Sequence, residues 1–221
     1  MKISKKRHLE IAIESIPKNL NPKVKWEQYS TSAKIAADLI WNANNLGDIF
    51  NKTILDLGCG TGIFTLSPIM LGAKIAVGID IDKEAIATAK NMGIANSYFF
   101  INDIYDIKDI KEDILLKNNL DNVINLKFDT LFTNPPFGSQ SRSKKGADRI
   151  FMELAMKSAN VCYSFHMAKT KDFVTGFYEN LGGRITNEFF YNFPLNHSYS
   201  FHRKESKDIK VIVLRVENNS F

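Results

Sequence analysis

Two cysteines occur in the whole chain, Cys59 and Cys162, and they lie far apart in apolar stretches. Neither has the paired spacing of a metal site, so no metal is expected. Both read as small buried hydrophobes in a reducing compartment. No stretch approaches the roughly 18 apolar residues that a bilayer-spanning helix needs. The basic start, Met1 to Arg7, runs into Glu10 and Glu14 instead of an apolar segment, which excludes a secretory signal. A cytoplasmic protein with no membrane contact is expected. No internal repeat, low-complexity tract or linker divides the 221 residues.

What is present is an alternating pattern. Helices are predicted over residues 4–16, 31–45, 62–71, 83–93, 147–159 and 170–180, the second of them capped by Thr31. Strands are predicted over 53–57, 74–80, 97–101, 128–133, 160–165, 184–191 and 208–217. Residues 104–127 mix Ile and Leu with Asp and Lys, and predict a short helix and a loop. Repeated strand–helix units imply an α/β fold, a mostly parallel sheet with helices on both faces. The last two strands lack a helix between them, which predicts an antiparallel hairpin at one sheet edge.

Two motifs carry chemistry. Thr53 to Leu57 reads as a buried strand, and Gly58-Cys59-Gly60-Thr61-Gly62 follows it, glycines that let the backbone turn sharply beside a ligand. The next strand ends in Asp80, a carboxylate able to accept both hydroxyls of a ribose. A dinucleotide fingerprint needs glycine where Ile63 stands, so that match fails. Asp56 under the turn opposes a pyrophosphate and suits a cationic ligand. The second motif is Asn134-Pro135-Pro136-Phe137. Asn before Pro is held extended, and the proline pair cannot continue a ladder. The Asn134 amide, the Pro135 carbonyl and the Phe137 ring are thereby presented at one spot, suited to a flat group bearing an amine.

With these residues the chain resembles the class I S-adenosylmethionine-dependent methyltransferases that carry an Asn-Pro-Pro-Phe motif. More closely, it resembles the methyltransferase-like protein five family, which methylates an adenine N6 of small-subunit ribosomal RNA. The resemblance extends to Glu27-Gln28-Tyr29-Ser30-Thr31, Met70 to Ala73, Gly146 with Asp148, Tyr163 to His166, and Tyr199 to Lys204. It implies the Rossmann-like three-layer sandwich with seven strands in a single domain, 1–221, of which 1–46 is a helical extension over the cofactor and RNA side and 47–221 the catalytic core. It implies S-adenosyl-L-methionine as cofactor, with Gln28, Tyr29 and Thr31 closing over it, Ile81 beside Asp80, Asp103 at the adenine amine and Ile104 at the adenine ring. It further implies a small zinc-binding activator subunit.

Asn134 and Pro135 are expected to accept the two protons of the target amine, with Pro136 stiffening the turn and Phe137 stacking on a flipped base. The net charge of +5 agrees with an RNA partner. Lys5, Lys6 and Arg7, then Arg142, Lys144 and Lys145, then His166, Arg203 and Lys204 are the candidate RNA contacts, those beside the catalytic loop favouring phosphates. Competing readings are a protein glutamine N5-methyltransferase, a guanine N2 ribosomal RNA methyltransferase and a cofactor-binding RNA chaperone without turnover.

Overall fold

The computed structural model describes residues 3–19, 23, 31–118, 128–136, 148–193 and 209–218. Two helices open the chain, α1 (Lys6–Glu14) and α2 (Ala33–Asn45). Then follow β1 (Thr53–Leu57), α3 (Ile63–Met70), β2 (Ile75–Asp80), α4 (Lys83–Lys90) and β3 (Ser97–Ile101). After a segment of short helical turns come β4 (Phe128–Thr133), α5 (Arg149–Ser158), β5 (Ala159–Met167), α6 (Lys171–Asn180), β6 (Gly183–Phe193) and β7 (Ile209–Asn218). The strands form one seven-stranded sheet in the order β3-β2-β1-β4-β5-β7-β6. The pairs from β3 through β5 are parallel; β7 runs antiparallel to both its neighbours, the predicted edge hairpin.

Side chains alternate across the strands because successive Cβ atoms point to opposite faces. Leu55, Leu57, Val77, Ile79, Leu131, Cys162, Ile212 and Leu214 face α5 and α6. Ile54, Ala76, Phe132, Tyr163, Phe165, Val211 and Val213 face α1 to α4. On that second face Phe64, Phe132 and Tyr163 stack in series, with centroids 5.6 Å and 5.0 Å apart. Leu9 and Ile13 of α1 join the same cluster, so the amino-terminal helix is packed into the core. Its Lys6 and Tyr191 of β6 both bind the Asp38 carboxylate of α2, at 2.8 Å and 2.9 Å.

Residues 104–118 stand where a crossover helix is expected between β3 and β4. They form turns of mixed pitch, and Ile104, Ile107, Ile110, Ile114 and Leu115 bury against the α5 face. The helix after the amino-terminal segment is capped by Ser32, not Thr31: Ser32 Oγ accepts from Ile35 N. That shift frees the Thr31 hydroxyl for another partner.

Asp48, Tyr163 and Arg215 form a buried polar cluster. The Asp48 carboxylate accepts from Tyr163 Oη (2.6 Å) and from Arg215 Nε (2.8 Å), while Arg215 also binds Thr186 and Glu217. No helix among the described residues is long and apolar enough to cross a membrane, and none of their His, Cys, Asp and Glu side chains group as a metal site.

Candidate active site

The strand order reverses between β1 and β4, and their carboxyl ends therefore flank a crevice. Both sequence motifs converge there. Leu57 is in register with Thr133, so Gly58 and Asn134 leave neighbouring strands side by side. Thr133 Oγ1 donates to Leu57 O at 2.9 Å and fastens the two strand ends together.

The glycine turn is held from below. Gly60 has φ +53°, left-handed, and a side chain there would meet nothing within 4 Å, so its upper side is open. Its N–H donates to Asp80 Oδ2 at 2.7 Å, and Asp82 N donates to Asp80 Oδ1 at 2.8 Å. Asp80 thus braces the turn through both of its carboxylate oxygens. Asp82 caps α4 by accepting from Glu84 N. Lys23 Nζ sits 2.9 Å from that same Asp82 carboxylate, tying the amino-terminal segment to the crevice.

Asp56 is 1% exposed and accepts from Thr65 Oγ1 at 2.8 Å. Burial raises its pKa to about 8, the Thr65 hydroxyl opposes this, and the nearby Asp80 charge adds to it. Burial likewise pushes the Asp80 pKa up, against the backbone N–H bonds it accepts. Cys59 is buried beside them with its thiol pKa well raised by the same desolvation, so it is an inert packing group. Gly78 makes this packing possible. A Cβ at that position would lie 2.7 Å from Thr65 Oγ1 and 2.9 Å from Cys59 Sγ. A glycine inside a strand is the sequence signal for such an approach.

Asn134 is half-buried at the end of β4. Its Nδ2 donates to Thr31 Oγ1 at 3.3 Å, while Oδ1 is buried without a hydrogen-bond partner among the described residues. An unmet buried acceptor is costly, of the order of 1–3 kcal/mol, and marks a place made for a donor. Pro135 is buried and Pro136 half-buried behind it. Asp103 caps the turn after β3 by accepting from Tyr105 N, and Ile104 is 4% exposed in the core. Thr61, Ile63 and Ile81 are half-buried around the glycine turn and Asp80. Gln28, Tyr29, Phe137, Arg142, Lys144, Lys145, Arg203 and Lys204 lie outside the described residues.

His166 does not stand on the surface as an RNA contact would. It is 2% exposed, its Nε2 is 2.8 Å from Ser164 Oγ, and its Nδ1 is 3.7 Å from Asp148 Oδ2. Burial lowers its pKa, with Asp148 opposing. Lys5, Lys6 and Arg7 are exposed on the first turn of α1, Lys6 engaged by Asp38. Sequence reasoning missed the Thr31–Asn134 contact and the Thr65 support of Asp56, since both depend on pairs brought together by folding.

The arrangement is an open glycine turn over two buried carboxylates, beside an amide acceptor awaiting a donor. It suits a cationic nucleoside ligand next to an amine. Over residues 44–134 the chain matches the family model described as ribosomal protein L11 methyltransferase (PrmA). It is 40% identical to an uncharacterised protein of Methanocaldococcus jannaschii over 98% of this chain and 96% of that one. It is 31% identical to the Drosophila melanogaster rRNA N6-adenosine methyltransferase Mettl5, over 96% of each chain. Among solved structures, a Pyrococcus horikoshii protein described as a candidate RNA methyltransferase superposes with a TM-score of 0.81 at 32% identity, over 98% of both chains. With a named relative above 30% identity along nearly its full length, the chain belongs to the METTL5 family of rRNA N6-adenosine methyltransferases.

Proposed function

We propose that this protein transfers a methyl group from S-adenosyl-L-methionine to the N6 amine of an adenosine in small-subunit ribosomal RNA. The observation that carries the reading is the Asn134 amide. Its NH2 end is engaged by Thr31, which turns the carbonyl end into a fixed, buried acceptor without a donor among the described residues.

The cofactor supplies an electrophilic methyl on a sulfonium. The residues fit it: Gly58, Gly60 and Thr61 line the approach, Asp80 offers its remaining lone pairs to the ribose, and Asp56 answers the cationic portion. Asp103 and Ile104 stand at the end of β3 for the adenine. Asn134 Oδ1 and the Pro135 carbonyl accept the two N6 hydrogens of the target base. Holding both hydrogens draws the nitrogen lone pair out of conjugation and aims it for in-line attack. The N–C bond forms as the S–C bond breaks, and the N6 proton, made acidic by methylation, leaves to water. Positioning supplies most of the acceleration. Phe137 stacks on the extruded base, and Lys5, Arg7, Arg142, Lys144, Lys145, Arg203 and Lys204 meet the RNA backbone.

A small zinc-binding activator subunit belongs to the same proposal. β3 is an edge strand, and Ile101 at its end is 57% exposed. An added strand would satisfy that edge and cover the apolar side chain.

The test is transfer of labelled methyl to naked ribosomal RNA, intact small subunits and total protein, followed by nucleoside mass spectrometry. N6-methyladenosine in small-subunit RNA is expected. Label in protein or on guanine, with none on adenine, would overturn the substrate.

A further inference from the structure

We propose that the rim made by the first turns of α5 and α6 receives the single-stranded RNA flanking the target adenosine, with Arg149 taking a backbone phosphate and the Phe173 ring a base. This rests on the RNA methyltransferase reading above.

The rim adjoins the crevice. Phe151, in the first turn of α5, stands 3.5 Å from where a Cβ on Gly58 would lie, so α5 begins against the glycine turn. Arg149 is the first residue of that helix and is exposed. Its guanidinium lies 5.1 Å from the Phe173 ring centroid and 5.9 Å from that of Phe177. Arg184 and Arg215 are both paired with carboxylates. Arg149 has no carboxylate partner among the described residues. It is a cation seated on aromatic rings at the edge of the site.

The rings are not hidden by this contact. Phe173 keeps 48% of its surface exposed, a large apolar exposure for a helix whose Val174 and Tyr178 are fully buried. The Ile104–Asp106 turn also packs against α5, and its Tyr105 is 52% exposed. Lys169 adds an exposed cation before α6. Several carboxylates occur nearby, among them Asp103 and Asp106 on either side of Tyr105. Asp148 turns inward, its Oδ2 3.7 Å from His166 Nδ1, and Asp172 is exposed on the first turn of α6. An exposed ring beside a guanidinium that has no carboxylate partner among the described residues provides a π-face for a base and a charge for one phosphate. Proteins grip single strands without reading their sequence by this combination. Arg and aromatic side chains also mark protein interfaces; the place of this pair beside the crevice of an RNA methyltransferase favours RNA.

The experiment measures anisotropy of a fluorescein-labelled, unstructured RNA of about 16 nucleotides with a central adenosine, bound to the full chain over a range of salt. Calorimetric titration with the cofactor and thermal melts accompany each variant. Phe173→Leu, which keeps an apolar side chain and removes the ring, should weaken binding roughly five- to a hundredfold. Phe173→Ala should do the same. Arg149→Ala should lower the slope of log affinity against log salt by about one. Cofactor affinity and melting should stay as in the parent. Parental affinity and slope in both Phe173→Leu and Arg149→Ala, with adenine methylation intact, would overturn the proposal and leave the enzyme assignment standing. Unchanged RNA affinity with lost binding to a ribosomal protein would overturn it in favour of a protein surface. If the unaltered chain does not bind RNA, the rim proposal falls whether or not the chain alone methylates.

Discussion

Thr31 Oγ1 accepts a hydrogen bond from Asn134 Nδ2 across 3.3 Å, joining residues 103 positions apart in the chain. The contact fixes which end of the Asn134 amide faces the substrate. Asn134→Ala is therefore expected to lower the methyl-transfer rate at least a hundredfold, with cofactor affinity nearly unchanged. Thr31→Val, close to isosteric, leaves the amide free to rotate and should lower kcat about tenfold with little change in the KM for cofactor. Single-turnover kinetics with calorimetric binding separates the two effects. Equal losses in binding and rate would remove Asn134 from its proposed role.

Asp56 gives a pH dependence whose sign is fixed. Its pKa is about 8 in the free protein because burial disfavours the charged form. A bound cation favours the carboxylate, so cofactor binding near neutral pH should release a proton. Affinity should rise with pH up to about 8 and then level off. Calorimetry in two buffers of different ionisation enthalpy detects the proton, and Asp56→Asn should abolish it. The same group destabilises the free fold as pH rises from its unfolded value towards 8, since the unfolded chain ionises first.

His166 works in the opposite direction. Its folded pKa is lowered by burial, so the unfolded state takes up its proton first as pH falls through about 6.5. Stability held above that pH is lost below it. Urea midpoints at pH 5.5 and 7.5 should differ less in His166→Gln than in the parent. An unchanged difference would place the acid sensitivity elsewhere.

The Asp48–Arg215 pair is 7% exposed at each residue. Asp48→Ala leaves a buried guanidinium short of its partner and should cost about 3–5 kcal/mol. The double variant Asp48→Ala with Arg215→Met should be less destabilised than the sum of the two single changes. Denaturant unfolding of the full cycle measures the coupling.

Much of the architecture was legible because its cause is local. The strands at 53–57, 97–101 and 128–133 have their predicted bounds, since short apolar runs between polar and glycine breaks leave little choice. The glycine turn and Asp80 were readable for the same reason. The Thr31 cap was misplaced by one residue: Ser and Thr are near-equal caps, and only the fold brings Asn134 to compete for Thr31. His166 was ambiguous because a histidine at a strand end is identical in sequence whether its ring turns inward or outward. The alternation of β6 was hidden too. Phe189, Phe190 and Tyr191 look alike in the chain, yet the middle ring is 62% exposed while Tyr191 reaches Asp38.

The position of β7 between β5 and β6 has a kinetic meaning. β6 is made before β7 but hydrogen-bonds to the sheet only through it. Until the later strand arrives, the earlier one has no ladder to join, and a hairpin of the two offers the sheet both strands at once. Local closure followed by one long-range docking event is a faster route than two separate searches. Losing β7 would therefore strip the strand that carries Ser164 and His166 of its outer neighbour and leave β6 without a ladder.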